Sequence, residues 1–284
     1  MSMKVIEIQK KPVNLKEFVK RRANEADCAN AIDEDFILVD NGVIKAVYKK
    51  LDSNPREIVS ALNSIKYDKG KRTRGLVSTS RIIGYRPRNT IRQDYCSSTA
   101  LSKESPKEHK VICDYARFAD EVYQQLAGDS YKNHKAEMEK VKSEWQIPDT
   151  VFTSGIVNKN NPLKYHFDTG NFTDVMSCML TFRSNLQGGY LSLPEYDLMV
   201  KNQHNSVFIF DGQSILHGVT PFKKMEEPAF RYTIVFYSLK NMWQCLEIDD
   251  ELIRIRNKKT EKEKMRADMP KEHRQALLAR FGKQ

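Results

Sequence analysis

The chain lacks the cysteine patterns that mark disulfide-rich and zinc-binding proteins. Its 284 residues contain only five cysteines, at positions 28, 96, 113, 178 and 245, and no two of them form a Cys-x-x-Cys pair. We therefore expect neither a disulfide framework nor a zinc ribbon. A reducing cytosol fits this cysteine usage best.

Long apolar segments are also missing. No uncharged stretch approaches 18 residues, and the opening Met-Ser-Met-Lys-Val-Ile-Glu-Ile has no secretory apolar run. With 40% hydrophobic and 30% charged residues, the chain is typical of a soluble globular protein with a real core. We expect it to stay inside the cell, away from membranes. The absence of repeats and of Gly/Ser linkers argues against solenoids and strings of small domains.

Acidic residues are outnumbered along the whole chain. There are 47 Lys and Arg residues against 37 Asp and Glu, which gives a net charge of +10. Such a balance favours a polyanionic partner, with nucleic acid as the first candidate. A solvated basic surface without any partner explains the same number.

The basic excess is strongest in residues 66–92, where nine basic residues stand against Asp68 alone. Glycines and Pro87 favour a loop, and a basic loop with Tyr85 interleaved suits phosphate contacts and one stacking ring. The alternative is a basic loop that only faces solvent. The candidate nucleic-acid-binding residues in this segment are Lys69, Lys71, Arg72, Arg74, Arg81, Arg86, Arg88 and Arg92.

The hydrophobic pattern changes along the chain. Residues 1–65 mix two short strand-like runs with a helical stretch at 57–65, residues 105–145 have helical spacing, and residues 249–284 predict one or two charged helices. Between them, residues 151–237 contain short β-rich runs separated by turns, at 151–153, 176–182, 190–193, 207–210 and 232–237. This spacing indicates a β-sandwich or barrel, buttressed by the helices.

One metal-binding pattern stands inside the β-rich region. His166 and Asp168 form the only His-x-Asp or His-x-Glu in the chain, although about one such match is expected by chance. On a strand or at its end, residues i and i+2 share a face, so the imidazole and the carboxylate can aim at one point. His217, which follows the apolar run 207–210, supplies a third ligand.

Two imidazoles and one carboxylate on one face of a ferrous ion leave three positions open for a cosubstrate and O₂. Arg231 and Thr233 share a face on the last β run, where a guanidinium fork and a hydroxyl can hold the distal carboxylate of a 2-oxo acid. Each residue alone has an ordinary structural explanation, whereas the ordered set favours a metal site. Asn158, Asn160 and Asn171 could bind the base or the cosubstrate, although left-handed turns explain such asparagines slightly better.

These elements together resemble a known family. Five segments are similar to the TET/JBP branch of the Fe(II)- and 2-oxoglutarate-dependent dioxygenases. They are Val157-Asn158-Lys159-Asn160, His166 to Phe172, Gly188 to Glu195, His217 to Pro221 and Arg231-Tyr232-Thr233. The resemblance covers roughly residues 150–240. The triad and the Arg-x-Thr element are shared by the wider superfamily, whereas the V-N-K-N and H-x-D-x-G-N elements are more specific to the TET/JBP branch.

The resemblance implies an α+β protein with a double-stranded β-helix (jelly-roll) core and a helical C-terminal tail. It implies that His166, Asp168 and His217 hold Fe(II), that 2-oxoglutarate binds Arg231 with Thr233 as a helper, and that O₂ is the oxidant. The substrate would be the 5-methyl group of thymine or 5-methylcytosine in DNA. The expected divisions are an N-terminal flanking α/β region at 1–148, the dioxygenase core at 149–245 and the charged tail at 246–284.

Two other functions remain open on the sequence. The same iron site could hydroxylate a protein side chain, a free nucleotide or a small metabolite, or the chain could be a non-catalytic DNA-binding module.

Overall fold

A computed structural model describes residues 3–71, 77–89, 94–268, 270 and 272. The described residues form 17 strands and seven α-helices. The strands are β1 Lys4–Glu7, β2 Asn30–Ile32, β3 Phe36–Asp40, β4 Val43–Lys50, β5 Asp68–Lys71, β6 Val77–Arg86, β7 Ser97–Ser98, β8 Ser154–Lys159, β9 Leu163–His166, β10 Ser177–Ser184, β11 Leu186–Gly188, β12 Leu191–Leu193, β13 Leu198–Val200, β14 Ser206–Phe210, β15 His217–Val219, β16 Phe222–Lys224 and β17 Phe230–Tyr237. The α-helices are α1 Leu15–Phe18, α2 Arg56–Ser64, α3 Leu101–Glu104, α4 Pro106–Asp114, α5 Ala116–Leu126, α6 Gly128–Met138 and α7 Ile248–Ala267.

Two facing sheets form the body of the protein. The larger sheet has the order β1-β3-β4-β14-β10-β17-β8-β6-β5, with β7 paired to β6, and the smaller sheet has the order β2-β13-β12-β15-β9. Neighbouring strands run antiparallel except for the pairs β1–β3 and β2–β13. A separate ribbon of β11 and β16 lies outside both sheets. This is the double-stranded β-helix that the sequence predicts.

Alternation along the strands divides the apolar side chains between two cores. On β10, Cys178, Leu180 and Phe182 pack with the helices in one cluster, whereas Met179 packs in the other cluster, which joins the two sheets. Successive residues of a strand point to opposite faces of a sheet, so each face of the larger sheet has its own apolar side chains. Helices pack on one of these faces, and the smaller sheet packs on the other. The interior face of β17 therefore carries Arg231, Thr233, Val235 and Tyr237, which the sequence places at alternate positions.

The N-terminal half is part of the same two sheets. Residues 1–148 supply β1, β3, β4, β5 and β6 to the larger sheet and β2 to the smaller one. The predicted helical stretches are confirmed: α2 covers the first, and α4, α5 and α6 cover most of residues 105–145. The tail begins with α7, and residues 269, 271 and 273–284 lie outside the described residues.

Two local predictions are wrong. The run Val151-Phe152-Thr153 is not a strand: β8 begins at Ser154, and Val151 and Phe152 are buried in the helix-facing core. The basic stretch 66–92 is not simply a loop, because β5 and β6 pair antiparallel at the edge of the larger sheet. Its short alternating runs add two strands to that sheet, and the hydrogen bonds between these strands outweigh the tendency of the glycines to favour a loop.

The cysteine prediction also needs correction. Cys96 and Cys245 form a disulfide across 149 residues, although the other three cysteines are free and buried. Both bonded residues are buried, Cys96 beside β7 and Cys245 just before α7. Sequence spacing could not reveal this pair, because the fold alone brings the two segments together. In the part of the chain that the structure describes, no helix combines the length and apolarity needed to cross a bilayer.

Candidate active site

Two neighbouring strands of the smaller sheet bring the three candidate metal ligands together. His166 is the last residue of β9 and lies opposite His217, the first residue of β15. The two imidazole centroids are 4.3 Å apart. Oδ1 of Asp168 lies 3.7 Å from Nε2 of His166 and 3.8 Å from Nε2 of His217. All three ligand atoms lie within 4.8 Å of one another, which makes His166, Asp168 and His217 a candidate metal site.

Backbone contacts fix the ring orientation of both histidines. Nδ1 of His166 donates to the carbonyl of Lys164 at 2.8 Å, and Nδ1 of His217 donates to the carbonyl of Ile215 at 2.9 Å. A carbonyl can only accept, so the proton sits on Nδ1 in each ring and the Nε2 lone pair faces Asp168. This is the orientation that a metal-bound histidine needs.

The carboxylate of Asp168 is held by its own backbone and by a glycine. The amide of Asp168 donates to the carbonyl of Gly212 at 2.8 Å. A Cβ atom at position 212 would collide with Oδ2 of Asp168, so only glycine leaves this carboxylate its place. The turn Asp211-Gly212, which the sequence indicates only as a strand break, therefore shapes the metal site.

A buried carboxylate supports the loop that leads into His217. Oε2 of Glu195 accepts from the amide of Leu216 at 2.7 Å. Nζ of Lys10 lies 3.1 Å from Oε1 of Glu195 and donates to the carbonyl of Ser214 at 2.6 Å. The sequence assigns a role to neither residue. Its only signal is the position of Glu195 at the end of the Leu-Ser-Leu-Pro-Glu element.

A cavity of about 350 Å³ lies between the two sheets and contains the triad in its wall. Apolar side chains from both sheets form most of the remaining wall, and Asn158, Lys164, Asn171 and Thr233 contribute polar groups. This volume and this mixed lining are typical of a small-molecule site. Asn160 has a different position: its backbone φ of 52° is left-handed, and its side chain accepts from the amide of Arg231 at 2.7 Å.

Arg231 is a buried cation that has side-chain nitrogens with no acceptor. It is 1% exposed, and its Nε and Nη2 have no hydrogen-bond partner among the described residues. Burial, and then the neighbouring guanidinium of Arg183, lower the pKa of Arg231 below its usual value. Arg183 lies directly across from Arg231 on β10, but it donates to the carbonyls of Leu186, Gly188 and Asn202. An isolated buried charge has a high desolvation cost, so we expect an anion to bind beside Arg231.

Thr233 lies two residues further along β17, on the wall of the cavity. Gly189 contacts the Arg231 side chain so closely that a Cβ there would lie 3.1 Å from Cδ of Arg231. The donor set thus has a metal-binding end at the triad and an anion-binding end at Arg231, which fits a 2-oxo dicarboxylate.

The candidate nucleic-acid-binding residues fall into three groups. Lys69 and Arg86 are exposed on β5 and β6. Arg81 is 7% exposed and forms ion pairs with Asp68 and Glu104, and Arg88 pairs with the buried Glu251. Acidic side chains of the chain itself neutralise these two cations, which makes both of them poor candidates for phosphate contacts. Arg72, Arg74 and Arg92 lie outside the described residues, as does the side chain of Lys71.

Comparison with known families identifies the family of the chain. Residues 82–240, more than half of the chain, match the Tet_JBP family model, the oxygenase domain of the 2OGFeDO superfamily. The chain belongs to the Tet_JBP family. Membership implies Fe(II) as the metal, with 2-oxoglutarate and O₂ as reactants. The cluster of His166, Asp168 and His217 is the candidate metal site within this Tet_JBP domain.

Several curated proteins are similar to the Tet_JBP domain. The bifunctional helicase and thymine dioxygenase JBP2 of Trypanosoma brucei brucei is 28% identical over 138 residues, which are 49% of this chain and 12% of that protein. JBP2 of Leishmania braziliensis is 26% identical over 164 residues, or 57% of this chain and 15% of that protein. The chain therefore matches only a small part of these much longer relatives.

One solved structure is similar over most of the fold. The structure of NgTET1 in complex with 5mC DNA has a TM-score of 0.59 and 14% sequence identity to this Tet_JBP domain, with 85% of this chain and 84% of that chain covered. This likeness supports the double-stranded β-helix architecture.

Proposed function

We propose that this Tet_JBP domain hydroxylates the 5-methyl group of a pyrimidine base in DNA. The observation that carries the proposal is the His/His/Asp triad in the cavity wall together with the buried Arg231, which lies two residues before the cavity-lining Thr233 on β17 and whose Nε and Nη2 have no hydrogen-bond partner among the described residues. The names of similar proteins supply the substrate class, since JBP2 is a thymine dioxygenase and NgTET1 was solved with 5mC DNA. The products would be 5-hydroxymethyluracil or 5-hydroxymethylcytosine.

The residues of the chain have distinct roles in this proposal. His166, Asp168 and His217 would hold Fe(II), and the Nδ1–H groups of both histidines would stay hydrogen-bonded to backbone carbonyls. Arg231 would grip the distal carboxylate of 2-oxoglutarate through its planar fork, and Thr233 would add a hydroxyl. When bound, ferrous ion and 2-oxoglutarate activate O₂ for attack on an unactivated C–H bond. The apolar side chains of the cavity wall would reduce the access of bulk water to this chemistry.

A methyl group in a duplex lies in the major groove and cannot reach a triad between two sheets. The target nucleotide must therefore be flipped out of the stack, at a cost of a few kcal/mol. Contacts to the phosphate backbone offset this cost, and the exposed Lys69 and Arg86 of β5 and β6 are candidates for them. The side chains of Asn158 and Asn171 in the cavity wall offer hydrogen-bonding groups to a base.

Mass spectrometry of nucleosides tests the proposal. DNA that contains thymine and 5-methylcytosine is incubated with the protein, Fe(II), 2-oxoglutarate and O₂, in parallel with Asp168→Ala. We expect 5-hydroxymethyluracil or 5-hydroxymethylcytosine with the native chain and neither with the variant. Succinate formation without any oxidised base, and unaffected by DNA, would instead favour another substrate. Absence of succinate in every condition would favour a non-catalytic DNA-binding module.

A further inference from the structure

A second basic stretch lies near the N-terminus and has no part in the function described above. Residues 10–22 contain six basic residues against one acid, Glu17. Lys10 is occupied by Glu195 and by the Ser214 carbonyl, and Arg21 pairs with Asp27 at 2.8 Å. Lys16, Lys20 and Arg22 are exposed, and no acid among the described residues forms an ion pair with them.

This stretch lies along β9, the strand that ends at His166. The amide of Lys20 donates to the carbonyl of Tyr165, and the amide of Tyr165 donates to the carbonyl of Arg21, both at 3.0 Å. Arg22 and Lys164 form an antiparallel bridge. Phe18 packs against Tyr165 with ring centroids 5.2 Å apart. The stretch therefore extends the smaller sheet at its β9 edge and is fixed there.

The bridge determines which way Arg22 points. Lys164 stands two residues before His166 on β9, so both side chains share one face, and both line the metal cavity. Residues opposite each other in an antiparallel pair project to the same face of a sheet. Arg22 therefore projects to the cavity side of the sheet, but it is exposed where Lys164 is half-buried. Lys164 therefore lies nearer to the candidate metal site, and Arg22 lies nearer to the solvent.

We propose that Arg22, with Lys20 and Lys164, forms a phosphate-binding rim that holds the DNA backbone next to the target nucleotide. This inference rests on the proposed function. A nucleotide that enters the cavity keeps a phosphate on each side of its sugar, and these phosphates remain at the opening. A guanidinium fork suits a phosphate in a bidentate contact, and an ammonium adds a point charge. The rim lies on the smaller sheet, whereas Lys69 and Arg86 lie on the larger one.

Salt-dependent binding tests the rim. Fluorescence anisotropy of a labelled duplex with the anaerobic protein, Fe(II) and 2-oxoglutarate gives Kd at several salt concentrations for native chain, Arg22→Gln and Arg22→Glu. We expect Arg22→Gln to weaken binding about tenfold and to reduce the slope of log Kd against log salt by about 0.9. Arg22→Glu should weaken binding further. Lys132→Gln removes an 80% exposed cation from α6 and should leave both quantities unchanged.

A thermodynamic cycle then identifies the phosphate. A duplex with a neutral methylphosphonate next to the target nucleotide should bind the native chain less tightly but lose little further affinity with Arg22→Gln. Native affinity and slope in both Arg22 variants, or fully additive losses in the cycle, would overturn the inference. These outcomes are separate from the nucleoside assay: oxidised base without an Arg22 effect refutes only the rim, and an Arg22 effect without oxidised base refutes only the proposed reaction.

Discussion

The carboxylate of Asp168 occupies the space that a Cβ atom on Gly212 would fill, and the backbone of these two residues is joined by a hydrogen bond of 2.8 Å. Gly212 is needed here for space, because any Cβ atom at this position would occupy the place of Oδ2. The turn after β14 therefore decides where one of the three candidate metal ligands can stand.

Gly212→Ala should displace the Asp168 carboxylate and weaken Fe(II) binding by at least tenfold, because shifts in the support of a ligand typically cost 10–100-fold in metal affinity. Anaerobic titration with Fe(II) measures this. Gly128→Ala is the matched control, because its Cβ would enter open space. Equal affinities in the two variants would remove Gly212 from this role.

Glu195 should act on the metal site through the backbone of the His217 loop. Glu195→Ala leaves the buried amide of Leu216 without an acceptor, at a cost of about 1–3 kcal/mol, and releases Lys10. We expect lower stability and weaker Fe(II) binding. Glu195→Gln keeps an oxygen for Leu216 and should retain most of the metal affinity. If thermal melting shows a loss for alanine but Fe(II) affinity is native in both variants, Glu195 supports only the fold.

Arg231→Lys should raise the concentration of 2-oxoglutarate needed for half-maximal succinate formation by at least tenfold, with a smaller effect on the maximal rate. An ammonium cannot reproduce the bidentate fork, and its shorter reach leaves the distal carboxylate poorly paired. Arg117→Lys, on α5 and half exposed, is the control. An unchanged 2-oxoglutarate requirement in Arg231→Lys would assign the cosubstrate to another group.

His134 should make stability depend on pH. It is 0% exposed, and burial lowers its pKa to about 3. Ser238 donates to the carbonyl of Val151, so Nε2 of His134 donates to the Ser238 hydroxyl at 2.9 Å and the ring is neutral. An unfolded histidine has a pKa of about 6.5, so below this pH the unfolded chain binds the extra proton.

The contribution of His134 is therefore complete above about pH 6.5 and declines as the pH falls towards 3. Between pH 6.5 and 5 the native chain should lose about 2 kcal/mol more free energy of unfolding than His134→Gln, which keeps an NH donor for Ser238. Urea unfolding at the two pH values measures the difference. Parallel pH profiles for both chains would contradict it.

Sequence spacing alone is sufficient to place the local residue pairs of the candidate site. His166 and Asp168 are two residues apart at a strand end, and Arg231 and Thr233 alternate along one strand, so the period of a β-strand is sufficient to place each pair on one face. The runs of β10, β12, β14 and β17 are visible for the same reason. The strand at β6 is less visible, because basic residues and glycines conceal its apolar alternation.

Contacts between distant segments could not be predicted. Lys10 donates to Ser214 across 204 positions, and Arg88 meets Glu251 across 163. Neither pairing has a spacing rule, because the crossing of the two sheets and the packing of α7 create it. The disulfide between Cys96 and Cys245 has the same origin. Arg81 and Arg88 consequently look like free cations in the sequence and are paired in the fold.

Anaerobic Fe(II) titration of the native chain and of His166→Ala, Asp168→Ala and His217→Ala tests the triad most directly, with His134→Gln as the control. The triad predicts one ferrous ion per native chain, the same stoichiometry in the control, and at least a tenfold loss of affinity in each of the three alanine variants. Native Fe(II) affinity in any one of those three variants would contradict a shared metal site.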